Sequence, residues 1–267
     1  MGLLGDPLGG IGRWALRLIS RGAGVAGLGY ATLKAFFLEK GRGRQLVWQS
    51  FLRQVYFTAA QAIPLLTLAS VCVGTVVFFI AAQLLGGLGL AAHIRPSSEM
   101  FLRELMPLIT ILVIIGRSGT AMVTEIGTMK INREDQILDA MAINMDYFVI
   151  FPRLLGMVAS LLVLNLYVFA VSFHGGEFMA RSMGLLSESA GRVPLLELMG
   201  TWDLPMLALK SILFGTAVAL LACHYGLSVR LSPTEVPQMA TRAVISSIFV
   251  CLVLNLVCTL FISGAAW

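Results

Sequence analysis

The residues best suited to chemistry lie in one apolar segment that is charged at both ends. It begins with Arg103 and Glu104, carries Arg117 inside, and ends with Glu125 and Lys130. A stretch of about 20 apolar residues suffices to cross a bilayer, so this segment is a candidate membrane span. An ionisable side chain in hydrocarbon costs about 2.5–3.5 kcal/mol even on the mildest scale, and such residues usually have a function. These charged residues are therefore the first candidates for functional residues.

The charges at the start of the segment and those further along predict different contacts. Glu104 could pair with Arg103, with Lys210 near the start of a later span, or with the headgroup of a substrate, whereas Arg103 could also snorkel to the interface. Arg117 lies thirteen residues beyond Glu104, which is about 20 Å along a helix. Glu125 is two turns further on roughly the same face. We therefore consider a pairing of Arg117 with Glu125, direct or through a neighbouring helix, and leave structural and transport roles open for it.

An enzymatic interpretation of the same segment is the main alternative. Residues 116–119 read GRSG, the short pattern that intramembrane serine proteases of the rhomboid type place at a helix start. A nucleophilic serine needs a base within hydrogen-bond reach, and His224 on a later span is the candidate base for Ser118. Small residues at these positions equally allow helices to pack closely, and we favour that interpretation.

Other catalytic signatures are missing from the sequence. There is no G-x-x-x-x-G-K-[ST] motif for binding ATP through a P-loop, no H-E-x-x-H and no CxxC pair. The three histidines are far apart, and the four cysteines fall in apolar runs without metal-site spacing. We therefore predict a non-catalytic chain with no metal and no cofactor.

Composition places the chain in a membrane. Charged residues make up 12% of it and hydrophobic residues 58%, with a mean hydropathy of +0.87, whereas soluble domains carry roughly 25% charged residues. The net charge of +5 suits a protein that lies against anionic lipid. The basic residues are not interleaved with aromatic ones, so nothing here indicates nucleic-acid binding.

Hydropathy predicts an all-α integral membrane protein with five transmembrane helices. The predicted spans are 63–86, 104–123, 154–174, 208–228 and 243–264. Lysine and arginine are concentrated before the first span and in the loops after the second and fourth spans, so the positive-inside rule predicts a cytoplasmic N-terminus and an external C-terminus.

Residues 8–38 are predicted to form an amphipathic helix that lies in the membrane interface. Arg13, Arg17 and Arg21 recur at i, i+4 spacing, and apolar residues such as Trp14 supply the other face. A signal peptide is the weaker alternative, because glycines interrupt the apolar stretch and no convincing cleavage site follows.

A short polar helix is predicted between the second and third spans. Asn132 can cap it, and Glu134 and Asp135 then lie near the positive end of the helix dipole. Ile137 and Met141 form an apolar i, i+4 pair. Apolar anchors ringed by charges are typical of a docking element for a soluble partner, although a solvated loop helix would have a similar composition.

A family resemblance covers most of the chain from about residue 50. The sequence resembles the MlaE-type (YrbE-like) permeases, the membrane subunits of Mce-associated ABC lipid transporters. The matching residues are Arg103-Glu104-Leu105, Pro107, the GRSG of 116–119, the EIGTMK of 125–130, Met141, Pro152-Arg153 and, more weakly, Lys210-Ser211 and 240–244.

The resemblance implies a partnered lipid transporter. Residues 1–50 would be the interfacial region and 51–267 the permease domain, in a bacterial inner membrane with a periplasmic C-terminus. The chain would form a homodimer, with an ATPase subunit under each protomer and periplasmic MCE-domain proteins above. The implied substrate is phospholipid or a related lipid, moved between the inner membrane and the outer membrane so that outer-membrane lipid asymmetry is maintained. The polar helix would be the coupling helix.

The candidate site residues divide into three groups. On the first span, one helical face carries Val77, Ala81, Leu85 and Leu88, and an apolar groove with charges at its rim suits acyl chains below a headgroup. The candidate lipid-binding residues are Val77, Leu85, Leu88, Arg103, Glu104 and Leu105. The candidate coupling residues are Glu125, Lys130, Glu134, Asp135, Leu138 and Met141. Arg117 and Lys210 are candidate structural charges within the membrane.

Overall fold

The described part of the chain is helical and contains no strand. The computed structural model describes the backbone of residues 7–38, 43–86, 94–184, 203–230 and 232–265, and the side chains of 22–38, 43–84, 100–184, 204–230 and 232–260. The helices are α1 (Pro7–Leu38), α2 (Arg44–Thr58), α3 (Ile63–Gly86), α4 (Ile94–Ile114), α5 (Thr120–Ile131), α6 (Glu134–Ala140), α7 (Phe151–Ser182), α8 (Asp203–Leu227) and α9 (Glu235–Ala265).

Three short irregular turns join some of these helices into longer rods. A 3₁₀ turn, Ala60–Ala62, joins α2 to α3. A π-helical turn, Ile115–Gly119, joins α4 to α5, and a second one, Asp146–Ile150, precedes α7. The chain therefore runs without a loop from α2 to α3 and from α4 to α5.

Five stretches are long and apolar enough to cross a membrane, which confirms the predicted number of spans. They are Arg44–Leu84, Met100–Ile131, Asp146–Ser182, Leu204–Leu227 and Glu235–Leu260. The predicted first span, 63–86, coincides with α3 (Ile63–Gly86), and the helical stretch that contains it begins earlier, at Arg44. Arg53 does not end the helix, because α2 continues through the 3₁₀ turn into α3. Pro64 lies in the first turn of α3, where its missing N–H is tolerated.

Contacts between the ends of neighbouring spans show which ends lie on the same side of the bundle. Glu104, near the start of the Met100–Ile131 span, contacts the start of α8 and the end of α9 through Lys210 and Thr259. The end of α5 contacts the start of α7 through Glu125 and Arg153. The bundle therefore has two sides. We call them the α6 side, which carries α6, and the Glu104 side.

Helix α7 is central and packs closely against α3 through glycine. A Cβ added to Gly74 would lie 2.0 Å from the carbonyl oxygen of Ser172 in α7, so the two backbones approach as closely as small residues permit. Beside this contact the rings of Phe78 and Phe173 meet edge to face, with centroids 5.4 Å apart. Further along α7, the buried Asn165 donates a hydrogen bond of 2.8 Å to Ser211 of α8.

Helix α1 lies against the α6 side of the bundle. Gly24 faces the His224 ring near the end of α8, and Phe36 stacks on Phe151 at the start of α7 with centroids 4.6 Å apart. His224 and Phe151 both lie at span ends on the α6 side of the bundle. The arginines predicted for the interfacial face, at positions 13, 17 and 21, lie outside the described side chains.

Candidate functional site

A polar cluster lies at the Glu104 side of the bundle. Lys210 Nζ donates a hydrogen bond to Glu104 Oε2 at 2.7 Å, and Thr259 Oγ1 donates to the same oxygen at 2.9 Å. The Lys210 side chain is 3% exposed and that of Glu104 is 36% exposed. Of the partners considered for Glu104, the structure therefore has Lys210. Thr259 was missed by the sequence analysis because no local pattern connects α9 to α4.

Exposed apolar side chains surround this cluster. Phe101 and Leu105 lie within one turn of Glu104 on α4, and Leu256 and Leu260 lie within one turn of Thr259 on α9; all four are at least 38% exposed. Arg103 is half-buried beside Glu104. A half-exposed carboxylate bordered by exposed apolar surface can bind a molecule with a polar head and an apolar body.

The predicted apolar face of α3 does not line this surface. Val77 is only 8% exposed and Ala81 only 6%, and both belong to the core of the protomer. Val77 lies one turn from Gly74, where α3 packs closely on α7, and the side chains of Val77 and Ala81 are both part of the hydrophobic core. The Leu85 side chain and the whole of Leu88 lie outside the described residues.

The expected pairing of Arg117 with Glu125 is wrong. Glu125 Oε2 lies 3.1 Å from Arg153 Nη2 at the start of α7. Arg117 instead donates hydrogen bonds to the carbonyl oxygen of Phe57 and to the side chain of Gln61, where α2 meets α3. Eight residues advance an α-helix by about 80° beyond two full turns, and the π-helical turn at Ile115–Gly119 changes the register further. The two side chains therefore point to different neighbours.

Helix α6 begins differently from the prediction. Its first residue is Glu134, and the preceding Arg133 has a left-handed backbone with φ 58°. Asn132 therefore ends α5 rather than capping α6, although its side-chain amide donates to Glu134 Oε1 at 3.2 Å. The acidic residues do lie in the first turn of α6, as expected from the helix dipole.

One ion pair attaches α6 to α5. Lys130 Nζ lies 2.5 Å from Asp135 Oδ2, and the hydrogen bond from Lys130 lowers the pKa of Asp135 below its ordinary value. Because the pKa is lowered in the folded chain, the pair is intact at neutral pH and is lost only as the pH falls through that lowered value.

The outer surface of α6 is apolar and exposed. None of its residues is buried, Ile137 is 56% exposed, and Met141 just after the helix is 64% exposed. Leu138 is half-buried beneath them. Exposed apolar side chains on a short helix with acidic neighbours form a surface suited to a protein partner.

The geometry contradicts the serine-hydrolase alternative. Within the described residues, the buried Ser118 hydroxyl has no hydrogen-bond partner, so His224 is not positioned as its base. The His224 ring instead packs on Gly24 of α1 and on Tyr225. The described residues also contain no group of acidic, histidine and cysteine side chains that could hold a metal ion.

Fold and site together define an all-helical, multi-pass membrane protein. One continuous span connects a polar cluster on one side to a short exposed helix on the other. The family model of the permease MlaE matches residues 51–261. The chain belongs to the MlaE permease family.

Named relatives agree with this assignment. The chain is 31% identical over 165 residues to the intermembrane phospholipid transport system permease protein MlaE of Haemophilus influenzae, covering 61% of this chain and 63% of that protein. It is 26% identical over 207 residues to the chloroplastic protein TRIGALACTOSYLDIACYLGLYCEROL 1 of Arabidopsis thaliana, covering 75% and 58%. It is 29% identical over 154 residues to a probable ABC transporter permease of Synechocystis, covering 57% and 58%. The chain thus matches about three fifths of the length of these relatives.

Proposed function

We propose that the chain is the transmembrane permease subunit of an ABC transporter that moves phospholipid or a related lipid. The observation that carries the proposal is the continuous helical stretch Met100–Ile131, which bears the polar cluster of Glu104 near one end and leads toward α6 at the other. Such a stretch can connect events at a partner to events at a ligand. The name of the Haemophilus relative supports phospholipid as the ligand class.

The polar cluster is proposed as the headgroup end of the lipid site. Glu104 keeps one carboxylate oxygen bonded to Lys210 and Thr259, so its charge is balanced within the protein while its side chain stays partly exposed. Arg103 beside it supplies a cation for a phosphate. Acyl chains would lie along the exposed apolar residues Phe101 and Leu105.

The partners follow from the two sides of the bundle. A second copy of the chain would complete the lipid cavity, a separate ATPase subunit would bind at α6, and an MCE-domain protein would cover the Glu104 side.

The excess of lysine and arginine on the α6 side supports a cytoplasmic location for that side and for the N-terminus. The transporter would work in a bacterial inner membrane, exchange lipid with the periplasm and help to maintain outer-membrane lipid asymmetry. Helix α1 would lie in the cytoplasmic interface, and residues 51–267 would form the permease domain.

Purification of the chain from its own membrane tests the proposal. We expect a tagged chain extracted in mild detergent to carry an ABC ATPase subunit and phospholipid, both identified by mass spectrometry. We expect replacement of Met141 by glutamate to weaken ATPase association by about tenfold or more, because a charge would replace an apolar contact. The matched control is Met141→Leu, which keeps the apolar surface.

The side chain of Met141 is 64% exposed, so the substitution leaves the fold intact. Retention of the bound lipid by the Met141→Glu variant would show this in the same sample. Equal ATPase recovery from the wild type and from Met141→Glu would exclude α6 as the docking element. A chain that purifies with no ATPase and no phospholipid would contradict the proposal as a whole.

A further inference from the structure

Arg117 connects two neighbouring spans at a joint. Its Nη1 donates a hydrogen bond to the carbonyl oxygen of Phe57 at 3.2 Å, and its Nη2 donates to Gln61 Oε1. The guanidinium carbon also lies 5.4 Å from the centroid of the Phe57 ring, within the range of a cation–π contact. Phe57 is in the last turn of α2 and Gln61 is in the 3₁₀ turn that leads to α3. One side chain therefore holds both sides of the joint in the first span.

Both spans are irregular where Arg117 joins them. In the first span, the 3₁₀ turn interrupts the α-helical bonding pattern. In the second span, Arg117 is the middle residue of the π-helical turn Ile115–Gly119, a feature that is frequent at functional sites. Backbone groups freed by such breaks must be satisfied inside the membrane, and the bond to the Phe57 carbonyl does this at the joint.

The joint lies midway between the two ends of the proposed transport path. Arg117 is thirteen residues from Glu104 and thirteen from Lys130, or about 20 Å from each along the helix axis. On the first span, α2 forms the half toward the α6 side and α3 forms the half toward the Glu104 side. A movement of α6 therefore meets two irregular helix joints at the same depth before it reaches the polar cluster.

We infer that Arg117 is a positioning residue that couples these joints. The planar guanidinium binds two acceptors in a fixed geometry, so the joint of the first span follows the π-helical turn of the second span when α5 moves. We call the bonds of Arg117 to Phe57 and Gln61 the clamp. When the clamp is intact, displacement at α6 tilts α3 together with α4. Without it, α5 moves but α3 does not follow. This inference rests on the proposed function for its role in transport, whereas the clamp itself is a property of the chain.

A matched pair of substitutions at Gln61 tests the inference without altering Arg117. Gln61 is exposed, so neither change disturbs the core. Gln61→Leu removes the acceptor, whereas Gln61→Glu keeps an oxygen acceptor and adds an attractive charge. The assay is lipid moved per ATP hydrolysed by the complete complex in proteoliposomes. We expect Gln61→Leu to lower this ratio by about fivefold or more, and Gln61→Glu to keep it within about twofold of the wild type.

Variants of Arg117 itself extend the test. Arg117→Gln should lower the amount of lipid moved per ATP hydrolysed at least as much as Gln61→Leu does, while the ATPase rate stays within about twofold of the wild type. Arg117→Lys should recover only part of it, because an ammonium lacks the fork geometry. Wild-type ratios in both Gln61→Leu and Arg117→Gln would overturn the inference.

A distance measurement separates this inference from the proposed function. Spin labels at Leu52→Cys on α2 and Thr124→Cys on α5, both exposed positions, report how the two spans move relative to each other; Cys72, the exposed native cysteine, is replaced by serine. We expect one narrow distance distribution in the complex and a broad one after Arg117→Gln. An unchanged distribution overturns the clamp whatever the transport result. A wild-type complex that moves no lipid contradicts the proposed function, and the clamp is then decided by the distances alone.

Discussion

Replacement of Glu104 by glutamine is expected to lower the free energy of unfolding by about 1.5–3 kcal/mol, the range for a hydrogen bond between charged groups, because Lys210 is buried while Glu104 is partly exposed. The substitution leaves the Lys210 ammonium, 3% exposed, without an anion inside the membrane. Lys210→Met should cost less, because Glu104 is 36% exposed and keeps its bond from Thr259. The measurement is the unfolding free energy in lipid bicelles for each variant.

The double variant Glu104→Gln with Lys210→Met is the control for this prediction. Replacing both members of a buried pair by neutral groups of similar size is often close to neutral, so the double variant should recover most of the loss. If the losses of the two single variants instead added up in the double variant, the two side chains would not be interacting as the structure has them.

Replacement of Gly74 by alanine is expected to be at least as damaging. The added Cβ would lie 2.0 Å from the Ser172 carbonyl oxygen, which is backbone of the central helix α7 and cannot move aside. Overpacking of this kind costs about 1–3 kcal/mol and sometimes more, and we expect a loss of about 3 kcal/mol or more here. Thermal unfolding of the purified variant in nanodiscs checks this.

Gly27 offers a matched control in the same experiment. A Cβ at Gly27 in α1 would meet no atom within 4 Å, and alanine favours a helix over glycine by about 1 kcal/mol. Gly27→Ala should therefore unfold at the wild-type temperature or slightly above it. A Gly74→Ala protein as stable as the wild type would mean that α3 and α7 do not approach as closely as described.

The sequence was sufficient for the number of spans but not for their ends. Hydropathy reports the apolar stretch that a bilayer requires, and five such stretches exist in the structure. It does not report whether a helix continues past the apolar stretch. Helix α2, which contains Arg53, lies before the apolar stretch and was therefore not predicted. The 3₁₀ turn at Ala60–Ala62 was not predicted either, because no glycine or proline lies within it.

The charges of the site were recognised from sequence, but their partners were only partly recognised. Lys210 was among the alternatives for Glu104, since both are charges at predicted span ends. Arg117 was paired with the wrong residue, because helical periodicity relates residues of one helix and its actual partners, Phe57 and Gln61, belong to another. Phe57 and Gln61 carry no charge that could have singled them out.

The assignment of Val77 shows a further limit. An apolar face on a membrane helix looks the same in sequence whether it meets lipid, a substrate or another helix. In this structure the face is buried, and beside it Gly74 lets the backbone of α7 approach α3 closely. A glycine within one turn of an apolar position in a span is therefore a signal for a helix contact, and it was available in the sequence.

We propose that this chain moves lipid when a separate subunit hydrolyses ATP. The direct measurement uses the purified complex in proteoliposomes and follows a fluorescent phospholipid as it leaves the donor membrane for a lipid-binding acceptor protein. We expect transfer that requires ATP, that stops when the ATPase subunit is omitted, and that falls after the double replacement Arg103→Ala with Glu104→Gln while ATP hydrolysis continues. Transfer at the same rate with and without ATP, or no transfer by an assembled complex that hydrolyses ATP, would contradict the account.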